Sequence, residues 1–426
     1  MAPQTRSADN KRDFDLVCYG VTGFTGQLCA QYLNSVDSIR GKWAVAGRNE
    51  AKIKSRLQEV GVEGVPVIIA DSSDPESLDK MCKRTKVICS LVGPYVRYGE
   101  PLVKACVDNG THYTDLNGEA PWCYNMMKKY GDQAMDNKAT LVFSTGYDSV
   151  PSELTVFIAT QKLKALGKGV TAGSAMGSAI GKGSLSGGTF ATLLEFAKAP
   201  SKDKKVAANP YCLSPVGRPE NKHLPFLFTS TTFKGKRQWG SFWLMGPHNS
   251  AIVRRSWGVF ESGGPNTKVF AYGPDFKYDE MMAMPNPVVA IFVSLALFVG
   301  FGLLTLVPPI RWAAERFGPQ PGTGPSKDMQ ENGWFKQVAT VRSTDGTKAV
   351  QVTMKGKGDP GYAATSKMIA ECALALVHDY ERLPPVAQQG GFLTPAAAYG
   401  PVLVERLEKT GYFTFTSEVE EAGKDK

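Results

Sequence analysis

Phe14-Asp-Leu-Val-Cys-Tyr19 runs directly into Gly20-Val-Thr-Gly23-Phe-Thr-Gly26. A short apolar run closed by spaced glycines, with Leu28, Cys29, Tyr32 and Leu33 then sharing one helical face, reads as strand, turn and helix. In that reading Gly20 makes the tight turn, Gly23 lets the backbone approach a pyrophosphate, and Gly26 allows close helix–strand packing. Thr22, Phe24 and Thr25 complete the turn, and the free N–H groups at the helix start favour an anion. The spacing is GxxGxxG, not GxGxxG, and with 44 glycines in the chain a plain turn is the competing interpretation. The pattern of the next hundred residues decides between them.

Working outward, Lys42 to Ala46, Val65 to Ala70, Val87 to Val92, His112 to Asp115 and Thr140 to Phe143 are further short apolar runs. Helical patterns separate them, among them Ala51 to Val60, a segment opened by Asp74-Pro75-Glu76 as an N-cap, and Pro101 to Asn109. Strand and helix at βαβ spacing predict an α/β, Rossmann-type parallel sheet over residues 13–151. The end of the second strand selects the cofactor. A dinucleotide without a 2′-phosphate calls for an acidic side chain there, and this chain has Arg48. A guanidinium grips a 2′-phosphate that a carboxylate would repel, so the expected cofactor is NADP(H); a plain surface arginine is the alternative. Asp71, ending the third strand, is placed near the adenine. Gly93, Pro94 and Tyr95, ending the fourth, are placed under the nicotinamide ribose. A reductase also needs a proton source, and Tyr95, Tyr113, Asp115, Glu119, Tyr147 and Asp148 all fall in loops at this sheet edge. Tyr95 and Asp148 are taken as the catalytic candidates, although each of the six could equally make a structural hydrogen bond.

From residue 152 the pattern changes. A helix from Ser152 to Leu166, glycine-rich alternation from Val170 to Gly188, a helix from Thr189 to Ala199 and aromatic-rich strands over Leu224 to Tyr272 follow. Lys336 to Arg342 and Ala349 to Lys355 bracket a hairpin signal at Ser343-Thr-Asp-Gly346, and Tyr362 to Leu383 reads as one long helix. These predict a second α+β domain, residues 152–385, with a mostly antiparallel sheet. Residues 1–12 are expected to be frayed. Inside the second domain, Val288 to Val307 is 20 residues without a charge, bounded by Pro285, Pro287, Pro308 and Pro309. A straight helix of that length is about 30 Å long, enough to cross a bilayer. Crossing would cut the second domain in two, so an apolar insertion over 286–310 lying in a membrane surface is expected, with Arg311, Trp312 and Arg316 at the headgroups. A buried core helix or an oligomer contact is the alternative.

Net charge is +9, but no block of five basic residues appears, and Lys198, Lys202, Lys204 and Lys205 read as a solvated loop. Nucleic acid is therefore not an expected partner, whereas a phosphorylated cofactor or an acidic membrane surface is. Eight cysteines form no CxxC pair and four histidines give no zinc spacing, so no metal is expected and the thiols are read as reduced, in a reducing compartment. No secretory signal is visible, since the first apolar run begins at Phe14 and is broken by Asp15.

Further pieces recur together: Ala46-Gly-Arg48, Val92-Gly-Pro-Tyr95, Tyr113-Thr-Asp-Leu-Asn-Gly-Glu119, Gly146-Tyr-Asp-Ser-Val-Pro151 and Ser186-Gly-Gly-Thr189. Later come Asp359-Pro-Gly-Tyr362, Thr365-Ser-Lys-Met368, Gly391-Phe-Leu-Thr-Pro395 and Leu403-Val-Glu-Arg-Leu407. With the glycine turn, these make nearly the whole chain resemble the saccharopine dehydrogenase-like oxidoreductases, a family that includes a trans-acting enoyl reductase of lipid assembly. The resemblance implies a Rossmann domain, a substrate domain, a C-terminal segment (residues 386–426) that returns to the Rossmann domain, and association with lipid droplets or mitochondria in eukaryotic members. Saccharopine reductases themselves need several substrate-binding arginines, and only Arg254 and Arg255 are paired here. The expected function is thus an intracellular NADP(H)-dependent reductase of a lipid-like enoyl or acyl substrate. Its expected partner is a membrane of the lipid droplet, endoplasmic reticulum or mitochondrion, met through residues 286–312, with a homodimer possible. The rival is a membrane-associated scaffold that keeps its cofactor without turnover.

Overall fold

A computed structural model describes residues 12–183, 187–217, 226–319 and 324–421, so the N-terminal stretch 1–11 and residues 422–426 lie outside the description. Six parallel strands, β1 (Phe14–Tyr19), β2 (Trp43–Gly47), β3 (Val67–Ile69), β4 (Thr85–Ser90), β5 (His112–Asp115) and β6 (Thr140–Val142), stand in the order β3-β2-β1-β4-β5-β6. The direction of progression reverses between β1 and β4, which opens a crevice at their C-terminal ends. The strands read as nearly continuous apolar runs because helices cover both faces. Along β1, Leu16 and Cys18 belong to one core and Val17 and Tyr19 to another, the period-2 alternation of a strand buried on each side.

The second sheet is built from β7 (Ala172–Lys182), β8 (Thr229–Phe233), β9 (Lys236–Phe242), β10 (Lys277–Met284), β11 (Trp334–Ser343) and β12 (Lys348–Lys357). Among the described strands of this sheet only the β7–β10 pair is parallel. β11 and β12 meet across Asp345 and Gly346, the latter at φ +71°, as the hairpin signal required.

Several expectations change. Gly246–Ser262 is a helix inside the stretch read as aromatic strands. Its apolar residues are buried on most sides and show no helical stripe, and a run like that cannot be told from a buried strand by periodicity. Tyr95–Asp108 is one helix that starts six residues before Pro101, because Glu119 accepts from Tyr95 N (3.0 Å) and Val96 N (2.7 Å) and caps it from a distant loop. The long helix expected from Tyr362 instead spans Thr365–His378. It does not stay with the second sheet: Met368, Ile369 and Cys372 share a core with Leu16, Cys18 and Cys89. The tail divides. β13 (Gly391–Leu393) joins the first sheet beside β6, but β14 (Phe413–Glu421) pairs with β12 and so does not remain with the first domain. Arg12 is held by the carbonyls of Cys82 (2.8 Å) and Asn109 (2.6 Å) and is anchored, not frayed.

The apolar segment forms the helix Pro287–Leu306, of which only Ala290 and Ser294 are buried. Asn286 caps it through Val289 N at 2.9 Å. Its two flanks, β10 and β11, lie in one sheet with only β7 between them. A shorter helix, Pro308–Phe317, turns back toward the protein, where Glu315 pairs with Lys198.

β14 closes the second sheet through Phe413, which is 1% exposed, its ring centroid 6.3 Å from that of Phe335. Phe413→Ala is expected to cost about 3–5 kcal/mol, the range for deleting a buried phenylalanine ring. Urea denaturation checks this: the midpoint should fall with an unchanged slope, and a loss below about 1 kcal/mol would place β14 outside the cooperative core.

Candidate active site

The crevice at the strand ends deepens into a cavity of about 850 Å³. One end is the glycine turn. Gly20 sits at φ +100°, and a Cβ there would stand 2.7 Å from the Val92 side chain. A Cβ on Gly26 would overlap the Gly20 carbonyl oxygen and come 2.8 Å from Val21 Cα, so the helix Phe24–Asn34 is pressed onto the end of β1 as close as a backbone can come. Gly23 N-caps this helix with no side-chain hydrogen bond, which leaves N–H groups of the first turn for a ligand. Phe24 is held edge-on against Tyr362 with centroids 5.0 Å apart, and Thr22 and Thr25 face the cavity beside it. Arg48 and Lys52 form the adjoining wall. Arg48 is exposed and makes no hydrogen bond or ion pair among the described residues, whereas Asn49 is occupied in capping the next helix at Lys52 N (2.9 Å). Asp71 stands beside this wall and does not line the cavity; its carboxyl, accepting from Ser73 N and Oγ, is held below the usual range. An uncapped helix start, a glycine cradle and an unpaired guanidinium are the donors that a pyrophosphate and a 2′-phosphate require.

Gly93, Pro94 and Tyr95 line the same cavity as Asp148. The Tyr95 hydroxyl donates to Ser90 O (3.1 Å) and accepts from Leu116 N (3.0 Å), so it ties the ends of β4 and β5 together while its ring shapes the wall. Asp148 is different. It lines the cavity, has no hydrogen-bond partner among the described residues, and burial alone pushes its carboxyl up to about 6. Of the other candidates, Asp115 accepts from Asn117 N, Ser144 N and Tyr113 Oη and so clamps the loops after β5 and β6. Glu119 is spent on its helix cap. Tyr147 packs its ring on Phe335.

Ser144 and His248 had no sequence signal. Ser144 sits at φ +61°, donates to Asn117 O (2.7 Å) and meets His248 Nε2 at 3.0 Å, joining the end of β6 to the helix Gly246–Ser262. Burial lowers the His248 imidazole to about 4, so it is neutral at pH 7. Beyond this pair the cavity turns apolar, with Phe242, Leu244, Leu297, Phe298 and Phe301 as its far wall.

Residues 16–142 match the saccharopine dehydrogenase NADP binding domain. A relative from Mycobacterium tuberculosis is 36% identical over 425 residues, covering 94% of this chain and 96% of its own. The trans-acting enoyl reductase of Mycobacterium ulcerans is 34% identical over 425 residues, covering 94% and 97%. The chain belongs to the saccharopine dehydrogenase-like oxidoreductases. It is an NADP-dependent enzyme of that family. Apo saccharopine dehydrogenase (L-Glu forming) from Saccharomyces cerevisiae has the same fold, with a TM-score of 0.52 over 96% of this chain and all of that one, at 12% identity.

Neither arginine of the pair Arg254 and Arg255 is among the residues that line the cavity. In this oxidoreductase Arg254 is buried and donates to Tyr278 O at 2.6 Å, and Arg255 donates to Leu213 O at 2.6 Å and to Phe392 O. Both guanidiniums are turned to backbone carbonyls of the core. Gly187 gives its N–H to Tyr362 Oη at 3.0 Å.

Arg48→Glu is expected to weaken NADPH binding by about tenfold or more, the worth of one charge-assisted contact of about 1.5–3 kcal/mol, and to leave NADH nearly untouched. Fluorescence titration of both nucleotides reads it, and equal wild-type affinities for the two would remove Arg48 from the 2′-phosphate.

Proposed function

We propose that this enzyme reduces the carbon–carbon double bond of an enoyl group on a lipid-like chain, while attached to a membrane or lipid-droplet surface. One observation carries the reading: a single cavity joins the glycine cradle and Arg48, past Asp148, to a wall of phenylalanine and leucine. The relatives named as trans-acting enoyl reductases support the same substrate class.

Bound NADPH supplies a hydride. The rest of the chemistry belongs to the chain. A hydride delivered to the β-carbon leaves electron density toward the α-carbon and carbonyl, and one proton must follow to complete the saturated product. Asp148 holds that proton: half-buried, without a hydrogen-bond partner among the described residues and lining the cavity, it keeps a larger neutral fraction near neutral pH than an exposed aspartate. Tyr95, its hydroxyl already committed, positions the substrate by its ring. The apolar far wall takes the chain and keeps water from the reacting carbons.

The outer face of Pro287–Leu306 supports attachment. Val288, Phe292, Val299 and Leu306 are more than half exposed, an apolar surface that water penalises. Trp312 is also exposed, and Arg311 and Arg316 share its helix, as a headgroup interface favours. Because β10 and β11 belong to one sheet, the helix lies in the surface with both flanks on one side.

Two measurements test this. NADPH oxidation with long-chain enoyl thioesters should fall about tenfold per pH unit above about pH 6, as Asp148 loses its proton. Asp148→Asn should cut turnover by about 10²-fold or more with nucleotide affinity retained. A full-rate Asn variant would dismiss Asp148 as the donor, and a wild type inert toward every enoyl substrate would dismiss the reaction. In flotation, the Phe292→Asp/Leu306→Asp pair should leave phosphatidylcholine–phosphatidylserine vesicles while the wild type rises with them; a wild type that stays at the bottom refutes attachment.

A further inference from the structure

The helix Pro287–Leu306 has two working faces. Leu297, Phe298 and Phe301 line the cavity, whereas Phe292 and Val299 on the same helix are 69% and 59% exposed. Substrate cavity and apolar exterior are therefore separated by the thickness of one helix, about 10 Å with side chains.

The seam beside it is lightly closed. Phe196, on the helix Gly187–Lys198, stacks on Phe301 with centroids 6.0 Å apart and planes at 28°, and both rings are only half-buried. On either side of Phe301, a Cβ added to Gly300 or Gly302 would meet nothing within 4 Å, so no other side chain fills the space there. The anchoring is uneven along the helix. Ser294 donates to Leu227 O (2.6 Å) and accepts from Phe242 N (2.8 Å), which fixes the N-terminal half to β9. The half beyond it rests on aromatic contacts, Phe298 on Phe242 and Phe301 on Phe196. At the outer end of the seam stand Lys198, paired with Glu315, and the exposed Lys202 and Lys205. Cations at that position complement anionic headgroups, while the seam itself is apolar.

We propose that the seam between Gly187–Lys198 and Pro287–Leu306 is a lateral entrance through which an acyl chain passes from a lipid leaflet directly into the cavity. The proposal rests on the membrane attachment argued above and adds a route to it. The headgroup remains among the lysines, the chain displaces the Phe196–Phe301 stack, and the reactive segment reaches Asp148 without leaving apolar surroundings. A substrate that is poorly soluble in water is thereby never carried through it.

The test uses the full-length protein with NADPH and phosphatidylcholine–phosphatidylserine vesicles containing a phosphatidylcholine with a terminal diazirine on one acyl chain. After irradiation, labelled residues are mapped by mass spectrometry. Label is expected on the outer face at Phe292 or Leu295 and also inside at Phe242 or Leu244. Phe301→Arg should lower the inner label at least tenfold with the outer label unchanged. The Phe196→Ala/Phe301→Ala pair, which opens the seam, should raise it. NADPH fluorescence reports that each variant is folded. Outer label alone in the wild type overturns the entrance and leaves attachment standing, and inner label indifferent to both variants overturns it too. Absence of label from both faces removes attachment and entrance together. None of these readouts depends on turnover, so the entrance and the enoyl reaction fail separately.

Discussion

Gly26 has no room for a carbon beyond its Cα, because the space a side chain would take is filled by the Gly20 carbonyl and Val21. That contact fixes the helix Phe24–Asn34 against β1 at the one place where the order of strands reverses. With the helix start left uncapped, its N–H groups and the positive end of its dipole point into the crevice. The rest of the site is arranged around this fixed point. Arg48 follows β2, Gly93 and Pro94 follow β4, and Asp148 follows β6, each carried to the same edge by the parallel direction of its strand.

The two sheets are not independent bodies strung in sequence. The helix Thr365–His378, which follows β12 of the second sheet, covers the first, and its Glu371 accepts from Tyr32 Oη at 2.6 Å. β13 then extends the first sheet before β14 returns to the second. With the chain crossing between them this often, the cavity has walls from both. Ser144 at the end of β6 reaches His248 on a helix of the second domain, so cofactor cradle and substrate wall keep a fixed relation. The same interlacing fixes the ends of Pro287–Leu306, whose flanks are held in a single sheet.

Legibility in the sequence divides along a physical line. The parallel strands, the glycine turn and Arg48 were legible because each depends on residues close in sequence: apolar runs, a turn without side chains, a charge just after a strand. The length and lack of charge of the apolar segment were legible for the same reason, but not the inward face made by Phe298 and Phe301, since the segment is apolar all round and shows no stripe. The helix Gly246–Ser262 was missed on similar grounds. His248 was invisible as a consequence: its partner Ser144 lies 104 positions away. Tyr95 lines the cavity, yet nothing local shows that its hydroxyl is tied to Ser90 and Leu116.

Distant partners also explain why so many carboxyls lie in the core. Asp115, Glu153 and Glu280 are buried, and burial pushes each up to about 7. None is idle. Glu280 accepts from Ser152 (2.7 Å), Asn249 (2.8 Å) and Gln337 (2.8 Å), and so pins three elements behind Asp148. Glu153 accepts from Ser256 (2.6 Å) and Ala396 N (2.9 Å), joining the second domain to the segment after β13. An acid raised on folding binds more protons in the native chain than in the unfolded one, so its contribution weakens as pH rises from the unfolded value toward about 7. The fold accepts that cost because an apolar residue at the same place would leave the surrounding N–H and O–H donors buried without acceptors. Specific cross-links between distant segments, more than net stabilisation, are what these carboxyls supply. Asp148 is set apart from them by having no donor among the described residues, which leaves its proton available to whatever enters the cavity.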